Sequence, residues 1–237
     1  TYGQRLAYVV SKVSGKAITQ SLPHIAVLAH AANHSELEAI ESHYQRQRYA
    51  NTSLYVVVGE GMSPPVSDDP RVHWLKSDQA KTMVVAEIDK KAELIAGMVA
   101  ADYYGPNYLE DMALATRYTQ ADLIGKAARY TRGGGRFELK QPDEAYHPVR
   151  SLPARAAAIR RQVIAQENVL EWVHSLGTCQ LQADSGLAID EFNYCEQGMA
   201  ADAELITETV DDLPGLKTGL ALDDLLAIAE RIAPGDN

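Results

Sequence analysis

The sequence predicts an α/β fold with a central, mostly parallel sheet and helices on both faces. Two short apolar runs rich in β-branched residues, at 24–29 and 54–59, flank a segment with helical periodicity. Three further apolar or alternating runs follow at 71–75, 94–99 and 121–126. Strands covered on both faces read as continuous apolar runs, and alternating strands and helices are typical of a parallel sheet. We therefore expect the first two runs to be neighbouring strands of one sheet.

The first elements carry the clearest local signals. The run PHIAVLAHA predicts a buried strand that opens into a loop of small and polar residues. After it, Leu37, Ile40 and Tyr44 recur at helical spacing, with Asn33 or Ser35 as the N-cap. The run SLYVVVGEG predicts a second buried strand, which the glycines end.

The later elements follow from weaker patterns. KTMVVAEIDKKAEL predicts a helix, and YLEDMALATRYT predicts another after a Gly-Pro turn. We expect TRGGGRFELK to be irregular, 152–176 to be helical in two pieces, and LAIDEFNYC to form a short final strand. The tail from Glu196 predicts a loop until an amphipathic helix at ALDDLLAIAERIA.

Length and composition favour one globular domain with appendages. The chain has 237 residues, 46% of them hydrophobic and 23% charged. We divide it into an N-terminal extension (1–22), a main domain (23–195) and an acidic C-terminal tail with an amphipathic helix (196–237). Because the chain starts at Thr1, we expect it to be part of a longer protein.

Charge and cysteine content exclude several classes of function. The net charge of -10 leaves no surplus of basic residues for nucleic acid or an anionic membrane surface. No apolar run is long enough for a transmembrane helix. Cys179 and Cys195 match neither a metal spacing nor a disulfide framework, so we expect two buried thiols in a reducing, cytoplasmic compartment.

One block carries a resemblance to a known family. The stretch DYYGPNYLEDMALATRYTQADLIGKAARY (102–130) resembles the middle of family 2 glycosyltransferase domains of the bacterial polysaccharide type, which have the GT-A fold. The segments PHIAVLAHAANHSELEAIESHYQRQRY, SLYVVVGEG and DEFNYC are similar to other parts of that domain. The resemblance spans about 23–195 and implies a Rossmann-like nucleotide-diphospho-sugar transferase fold.

The resemblance implies a site for a sugar nucleotide, a glycan acceptor and a divalent cation, Mg²⁺ or Mn²⁺. Asp102 corresponds to the last carboxylate of the family's metal motif, which helps to neutralise the leaving diphosphate. Glu60 and Asp78 stand in the loops that contact the nucleotide in the family. Glu167 stands near the position of the catalytic base, which deprotonates the acceptor hydroxyl.

The sequence departs from the family at two of these places. The metal motif reads Val99-Ala100-Ala101-Asp102, so only one carboxylate remains. The catalytic base of the family usually lies in a Glu-Asp pair, and Asn168 stands at the second position of that pair. An amide cannot accept a proton at neutral pH. Two hypotheses stay open: a sugar-nucleotide-dependent glycosyltransferase, or a GT-A-like binding or scaffold module beside a catalytic domain of the same parent protein.

Two other patterns fall short of predicting a site. His24, His30, His34 and His43 have no recognised zinc spacing, so we do not expect them to form a metal centre. The run from Arg132 to Arg136 has three glycines but lacks the Lys-Ser/Thr of a P-loop, which favours a flexible loop over a phosphate cradle.

Overall fold

A computed structural model describes residues 2–14, 21–63, 67–201, 203–211 and 222–232. The helices are α1 (Tyr2–Ser14), α2 (His34–Gln45), α3 (Ser77–Ala80), α4 (Val85–Ile88), α5 (Tyr108–Ala115), α6 (Val169–Ser175), α7 (Ala203–Val210) and α8 (Leu222–Ile232). The first six strands are β1 (Ile25–Ala31), β2 (Thr52–Val58), β3 (Val72–Lys76), β4 (Leu94–Met98), β5 (Tyr103–Tyr104) and β6 (Leu123–Gly125). The others are β7 (Arg129–Gly133), β8 (Arg136–Lys140), β9 (Pro148–Pro153), β10 (Ala157–Arg160), β11 (Gln180–Ala188) and β12 (Tyr194–Glu196).

The main sheet has the strand order β3-β2-β1-β4-β10-β6-β11-β9. β3, β2, β1 and β4 are mutually parallel, and β6 and β11 run in the same direction. Only β10 and β9 oppose it, so the expectation of a mostly parallel sheet is confirmed. The predicted neighbours β1 and β2 pair in parallel, with Leu28 opposite Tyr55 and Ala29 opposite Val56.

Helices cover both faces of the sheet, as the apolar runs predict. In β1, Ile25, Val27 and Ala29 belong to the core cluster that includes α2 and α5, whereas Ala26 and Leu28 belong to the cluster that includes α4 and α6. This alternation follows from the period of two in a strand. Every one of these β1 side chains is fully buried, which fixes the register of the strand.

A smaller four-stranded sheet, β5-β12-β7-β8, is built from chain that leaves the ends of β4, β6 and β11. The predicted irregular segment 131–140 is in fact most of its β7–β8 hairpin. Gly134 and Gly135, with φ of 58° and 82°, form the two-residue turn. Positive φ at both turn residues suits the twist of a tight hairpin, and glycine adopts it without steric cost.

The prediction of a helix is wrong for the first half of 152–176. A 3-10 turn at Ala154–Ala156 leads into β10, which pairs with both β4 and β6 in the middle of the sheet. Alanine favours a helix, but small side chains are also what this crowded position accepts. A Cβ at Gly125 would lie 2.6 Å from the carbonyl oxygen of Ala156.

Of the helix predicted at 81–94, only the single turn α4 (Val85–Ile88) forms. Asp89 follows α4, and its carboxylate lies 3.0 Å from Nε2 of His24, just before β1, and 3.2 Å from the hydroxyl of Tyr55 in β2. The second piece of 152–176 does form a helix, α6.

The C-terminal region differs from its prediction in one respect. The tail from Glu196 is predicted to be a loop, but it contains the last residue of β12 and then α7. The amphipathic helix forms as α8 and contacts α1, whose Leu6 and Val10 are buried. Residues 212–221 lie outside the described part, and the boundaries at 22/23 and 195/196 stay predictions.

Both cysteines are free thiols; Cys195 is buried, and Cys179 is only half-buried. In the described part of the chain, no helix combines the length and apolarity needed to cross a membrane.

Candidate functional site

The strand order reverses between β1 and β4. From β1 the chain adds β2 and then β3 on one side, and it returns to place β4 on the other side. In open α/β sheets, ligands bind outside the carboxyl ends of the strands at such a switch point. The topology therefore points to the edge where β1 and β4 end.

A cavity of about 580 Å³ lies at this edge. We call it the switch-point cavity; it is lined by His30, Ser35, Glu36, Glu38, Ala39, Met98, Val99, Ala100, Ala101, Val173, His174, Leu176, Gly177 and Met199. The lining comes from the end of β1, the start of α2, the loop after β4 and the end of α6. Residues 99–101, where the resemblance implies an acidic motif, thus line this cavity.

Two imidazoles meet in the switch-point cavity. The rings of His30 and His174 have centroids 4.4 Å apart and planes at 79°. Burial and the neighbouring His174 lower the pKa of His30, and Glu36 opposes that shift. The pKa of His30 therefore lies below its ordinary value.

The start of α2 positions the acidic side of the same cavity. Asn33 caps the helix, because its side chain accepts a hydrogen bond from the Glu36 backbone N–H. The Glu36 carboxylate in turn accepts from the Ala32 backbone N–H at 2.8 Å and from the Asn33 amide at 3.1 Å. Glu38 is exposed on the cavity rim.

A second cavity, of about 400 Å³, lies where β2 and β3 end. We call it the outer cavity; Glu60 and Asp78 both line it, beside Lys76, Ser77 and the glycine turn after β2. The structure thus brings together two residues that the sequence nominated separately. β2 and β4 are two strand spacings apart, so the two cavities are separated by roughly 10 Å along the carboxyl edge.

Asp102 lies just after β4 but does not line either cavity. Its carboxylate is fully buried, and Arg155 donates to both of its oxygens at 2.6 and 2.8 Å. The Tyr194 hydroxyl and the Gln197 backbone N–H add bonds of 2.9 Å each. We call this group the Asp102 cluster: Asp102, Arg155, Tyr194 and the backbone of Gln197.

The electrostatics of the Asp102 cluster are those of a buried ion pair. Burial raises the pKa of Asp102, and the Arg155 charge and hydrogen bonds oppose this. Burial lowers the pKa of Arg155, but the charge and hydrogen bond of Asp102, together with Tyr194 and Tyr104, hold it above its ordinary value. Ionised partners at hydrogen-bond distance stabilise each other strongly in a low dielectric.

The implied Mg²⁺ or Mn²⁺ does not fit at Asp102. A cation there would need carboxylate oxygens that Arg155, Tyr194 and Gln197 already occupy, and it would face the guanidinium charge. Among the described residues, no group of three or more His, Cys, Asp or Glu side chains is arranged to hold a metal ion. Asp102 instead ties three segments of the chain together.

Glu167 lies away from the switch-point cavity. It is an exposed residue just before α6, whereas the cavity is lined by the other end of that helix. At 1.5 Å rise per residue, Glu167 and His174 are roughly 10 Å apart along the axis. Asn168 caps α6 by accepting from the Glu171 backbone N–H, and its amide donates to the Lys81 carbonyl oxygen at 2.9 Å.

Sequence reasoning missed His174 and Arg155. The partner of each is far away in the chain, so no local spacing could reveal either contact. Arg155 lies in an alanine-rich segment whose composition indicates a helix surface. A histidine in the last turn of a helix is a common surface residue, and its meeting with His30 depends on the tertiary fold.

Lys126, at the end of the ADLIGK block, is fully buried and faces neither cavity. Its ammonium group donates to Asp190 at 2.6 Å and to Asp111 at 3.2 Å. The Asn193 amide also donates to Asp111, at 3.1 Å. This network fixes α5 against the ends of β6 and β11.

Comparison with known proteins identifies no family for this chain. No family model matches, and no curated protein matches either. Among solved structures, a mannosyltransferase from Pyrobaculum calidifontis (PcManGT), in complex with GDP-Man and Mn²⁺, is similar with a TM-score of 0.40 and 9% identity. The match covers 79% of this chain and 64% of that one, so this chain spans less than two thirds of the length of that protein. Similarity of this degree establishes no activity, and the assignment of function depends on the site itself.

Proposed function

We propose that this chain binds a sugar nucleotide along the carboxyl edge of its sheet, as a glycosyltransferase-like domain of the polysaccharide-building type. The observation that carries the proposal is that Glu60 and Asp78 line one cavity. Their carboxylates are acceptors for the hydroxyl and N–H groups of a nucleoside. The diphosphate and sugar would then extend about 10 Å, over the end of β1, into the switch-point cavity.

The sequence block that resembles glycosyltransferases supports the same assignment. The loop after β4 leads into that block, and its residues Val99, Ala100 and Ala101 line the switch-point cavity. The acceptor in this proposal is a glycan, and the cytoplasm stays the expected location. The sugar, the linkage and the family 2 membership belong to the proposal as well.

Within this proposal, the chain alone has weak transferase activity or none. The carboxylate of Asp102 is held by Arg155, and Glu167 lies at the wrong end of α6 to serve as a base in the cavity. These two observations favour the binding or scaffold module over the active enzyme. In that case a neighbouring domain of the parent protein would carry out the transfer.

Calorimetry with UDP- and GDP-sugars tests the binding step. We expect binding by the intact chain, weakened about tenfold by Glu60→Gln or Asp78→Asn, because each loses a charged hydrogen-bond acceptor. Glu144→Gln and Asp184→Asn, which change exposed carboxylates outside both cavities, are the matched controls. The proposal would be refuted if the intact chain bound none of the UDP- and GDP-sugars, or if all four variants bound them equally.

A transfer assay separates the two forms of the proposal. We expect sugar release and sugar transfer to stay at background, both in the unmodified chain and in Glu167→Gln. Robust turnover by the unmodified chain that Glu167→Gln leaves unchanged would show that it is an enzyme whose base is another residue.

A further inference from the structure

The strand β11 is irregular where it pairs with the edge strand β9. Gln182 lies opposite Ser151, whereas Gly186 lies opposite Val149. Three residues of β11 therefore stand opposite one residue of β9, Arg150. Such a β-bulge interrupts the ladder of backbone hydrogen bonds, and bulges are common at sheet edges and next to active sites, where they aim a side chain.

The β11 bulge, residues 183–185, is held in place on both sides. The backbone N–H of Asp122, just before β6, donates to the carbonyl oxygen of Ser185 at 3.0 Å, and the Ser185 hydroxyl donates to the Asp122 carboxylate at 3.0 Å. Towards β9, a Cβ at Gly186 would lie 2.6 Å from the carbonyl oxygen of Val149, so the two strands approach closely. The bulge is therefore a fixed feature, and it determines which side chains meet beside it.

Two cavities meet at the β11 bulge, one of about 590 Å³ and one of about 520 Å³, and Arg150 and Asp184 line both of them. We call the two together the bulge groove. Its lining includes Ala121, which precedes β6, so the groove lies at the amino ends of the parallel strands, on the opposite edge from the switch-point cavity. The other polar residues of its lining have hydroxyl or amide side chains: Thr119, Gln120, Ser151, Gln182 and Ser185.

The bulge groove offers free hydrogen-bonding groups without a surplus of charge. The charged residues of its lining are Arg150 and Asp184, and their charges cancel. Both side chains are exposed, and neither forms an ion pair or a hydrogen bond with any residue in the described part of the chain. A nucleic acid or another phosphorylated ligand would need an excess of positive charge. The groove therefore favours a ligand without net charge.

An extended peptide is a poor match for this edge of the sheet. β9 is the last strand in the order of its sheet, a position at which a peptide can add a further strand. However, β9 begins with Pro148 and ends with Pro153. Proline has no N–H to donate, and proline on an edge strand hinders the addition of another strand. The main-chain pairing that gives such peptides their affinity is therefore restricted here.

An uncharged oligosaccharide matches the groups of the bulge groove. A sugar hydroxyl both donates and accepts, so it pairs with a guanidinium, a carboxylate, an amide or a hydroxyl alike. Val149 and the 41% exposed Val163 add aliphatic surface for the C–H faces of sugar rings. Each cavity is within the size range of small-molecule sites, and because the two adjoin at Arg150 and Asp184, they suit a chain of several sugar units.

We infer that the bulge groove binds a neutral oligosaccharide chain across Arg150 and Asp184. This site uses neither the switch-point cavity nor the outer cavity, so it does not depend on the proposed function. In a chain that also binds a sugar nucleotide, the groove would hold a remote part of the glycan acceptor, and that last step alone rests on the proposed function.

Calorimetry of the whole chain with defined oligosaccharides tests the site. The probes are maltohexaose, cellohexaose and mannohexaose, with maltose, cellobiose and mannobiose as their short counterparts. We expect at least one hexasaccharide to bind, at least about fivefold more tightly than its disaccharide, because only the longer chain reaches both cavities. A neutral octapeptide of alternating serine and asparagine is the comparison, and we expect it not to bind.

The groove variants identify the residues that hold the sugar. Arg150→Ala, Asp184→Ala and Gln182→Ala are each expected to weaken hexasaccharide binding about fivefold, since each loses a hydrogen bond to a sugar hydroxyl. Arg136→Ala and Asp143→Ala, which remove exposed charges outside the groove, are the matched controls. All five side chains are exposed, so circular dichroism should show an unchanged fold in every variant.

Amide chemical shifts locate the bound sugar. Addition of the hexasaccharide should change the ¹H–¹⁵N signals of Ser151 and of residues 182–186, which surround the bulge. Changes confined to Gly59, Gly61 and other residues of the outer cavity would mean that the sugar binds at the proposed nucleotide site, and they would overturn the inference.

The inference would also be overturned if no hexasaccharide bound, if only the octapeptide bound, or if the three groove variants bound as tightly as the wild type. The proposed function is judged by calorimetry with UDP- and GDP-sugars instead. A chain that binds a hexasaccharide in the groove but no sugar nucleotide keeps this inference and loses the proposed function, and the reverse result does the opposite.

Discussion

The Arg155 guanidinium donates to both carboxylate oxygens of Asp102, at 2.6 and 2.8 Å, and so leaves neither oxygen free for a metal ion. The same guanidinium also donates to the Gly177 carbonyl and the Glu196 carboxylate, each at 3.1 Å. It therefore joins the end of β4, the end of α6 and the second sheet. Because of this geometry, we expect substitutions at Asp102 to affect the stability of the fold.

Asp102→Asn should destabilise the protein rather than impair metal binding. The variant leaves the buried Arg155 guanidinium with the Glu196 carboxylate as its remaining partner, and loss of one member of a buried pair costs up to about 3–5 kcal/mol. Urea denaturation measures it, with Asp69→Asn as the control, because the Asp69–Arg71 pair is partly exposed and contributes about 0–1 kcal/mol. An Asp102→Asn protein of normal stability that loses Mn²⁺ binding would instead make Asp102 a metal ligand.

Ala101→Asp should strengthen Mn²⁺ binding in the switch-point cavity. Ala101 is exposed and lines that cavity, so a carboxylate there adds an oxygen ligand at little structural cost. Calorimetry with Mn²⁺ compares it with Ala101→Asn, which has the same shape without the charge. Restoring a second acid at Val99 is less favourable, because Val99 packs against the core cluster under α6. Equal Mn²⁺ affinity in both Ala101 variants would show that the cavity cannot use the added carboxylate.

Asp211→Asn should stabilise the protein at neutral pH. The oxygens Oδ1 of Asp211 and Oδ1 of Asn193 are buried without a partner, and they lie 2.2 and 2.9 Å from the point that a Cβ on Gly105 would occupy. Because both oxygens lie close to this same point, we expect a proton on Asp211 to be shared between them. Burial raises the pKa of Asp211 from 3.8 to about 6, against the opposing effects of the Tyr103 hydrogen bond and the charges of Arg46 and Arg48.

The sign of the pH effect follows from that shift. A carboxyl with a higher pKa in the folded state stabilises the fold while protonated, so this stability is lost as the pH rises through about 6. The amide introduced by Asp211→Asn would donate at every pH, so the variant should gain on the order of 2–3 kcal/mol near neutral pH and little below about pH 4. Thermal unfolding across this range measures the difference. Asp184→Asn, which changes an exposed acid, should have no effect, and an identical pH profile for Asp211→Asn and the wild type would contradict the shared proton.

Gly125→Ala should destabilise the centre of the sheet. Its Cβ would lie 2.6 Å from the Ala156 carbonyl oxygen and 2.7 Å from the Ala157 Cα, both of them backbone atoms that cannot turn aside. Overpacking of this kind costs about 1–3 kcal/mol. Gly133→Ala is the control, because its Cβ would meet nothing within 4 Å. Equal melting temperatures for the two variants would show that β10 and β6 can separate freely.

The sequence predicts the parallel half of the fold well because its signals are local. The strands β1 to β4 and β6 are continuous apolar or alternating runs, and α2 shows both its period and its Asn33 cap. Sequence reasoning fails at β10, where the helix-forming residues Ala157 and Ala158 occupy a central strand that pairs with both β4 and β6. Tertiary crowding outweighs propensity there.

The residues of the candidate site show the same difference between local and long-range signals. Glu60 and Asp78 could be nominated because they follow recognisable strands, and the fold places them in one cavity. The partners of Asp102 could not be predicted from the sequence, because Arg155 and Tyr194 are 53 and 92 residues away in the chain. Long-range pairs of this kind leave no periodic trace in the sequence.

The span between Asp102 and its partners also sets an order of events during folding. The parallel unit from β1 to β4 is complete at residue 98, whereas Arg155 and Tyr194 follow Asp102 by 53 and 92 residues. Until residues 155 and 194 arrive, the carboxylate of Asp102 stays hydrated at the end of β4. Closure of the Asp102 cluster is therefore a late step that joins the two halves of the chain, and a nascent chain that ends before Arg155 lacks it.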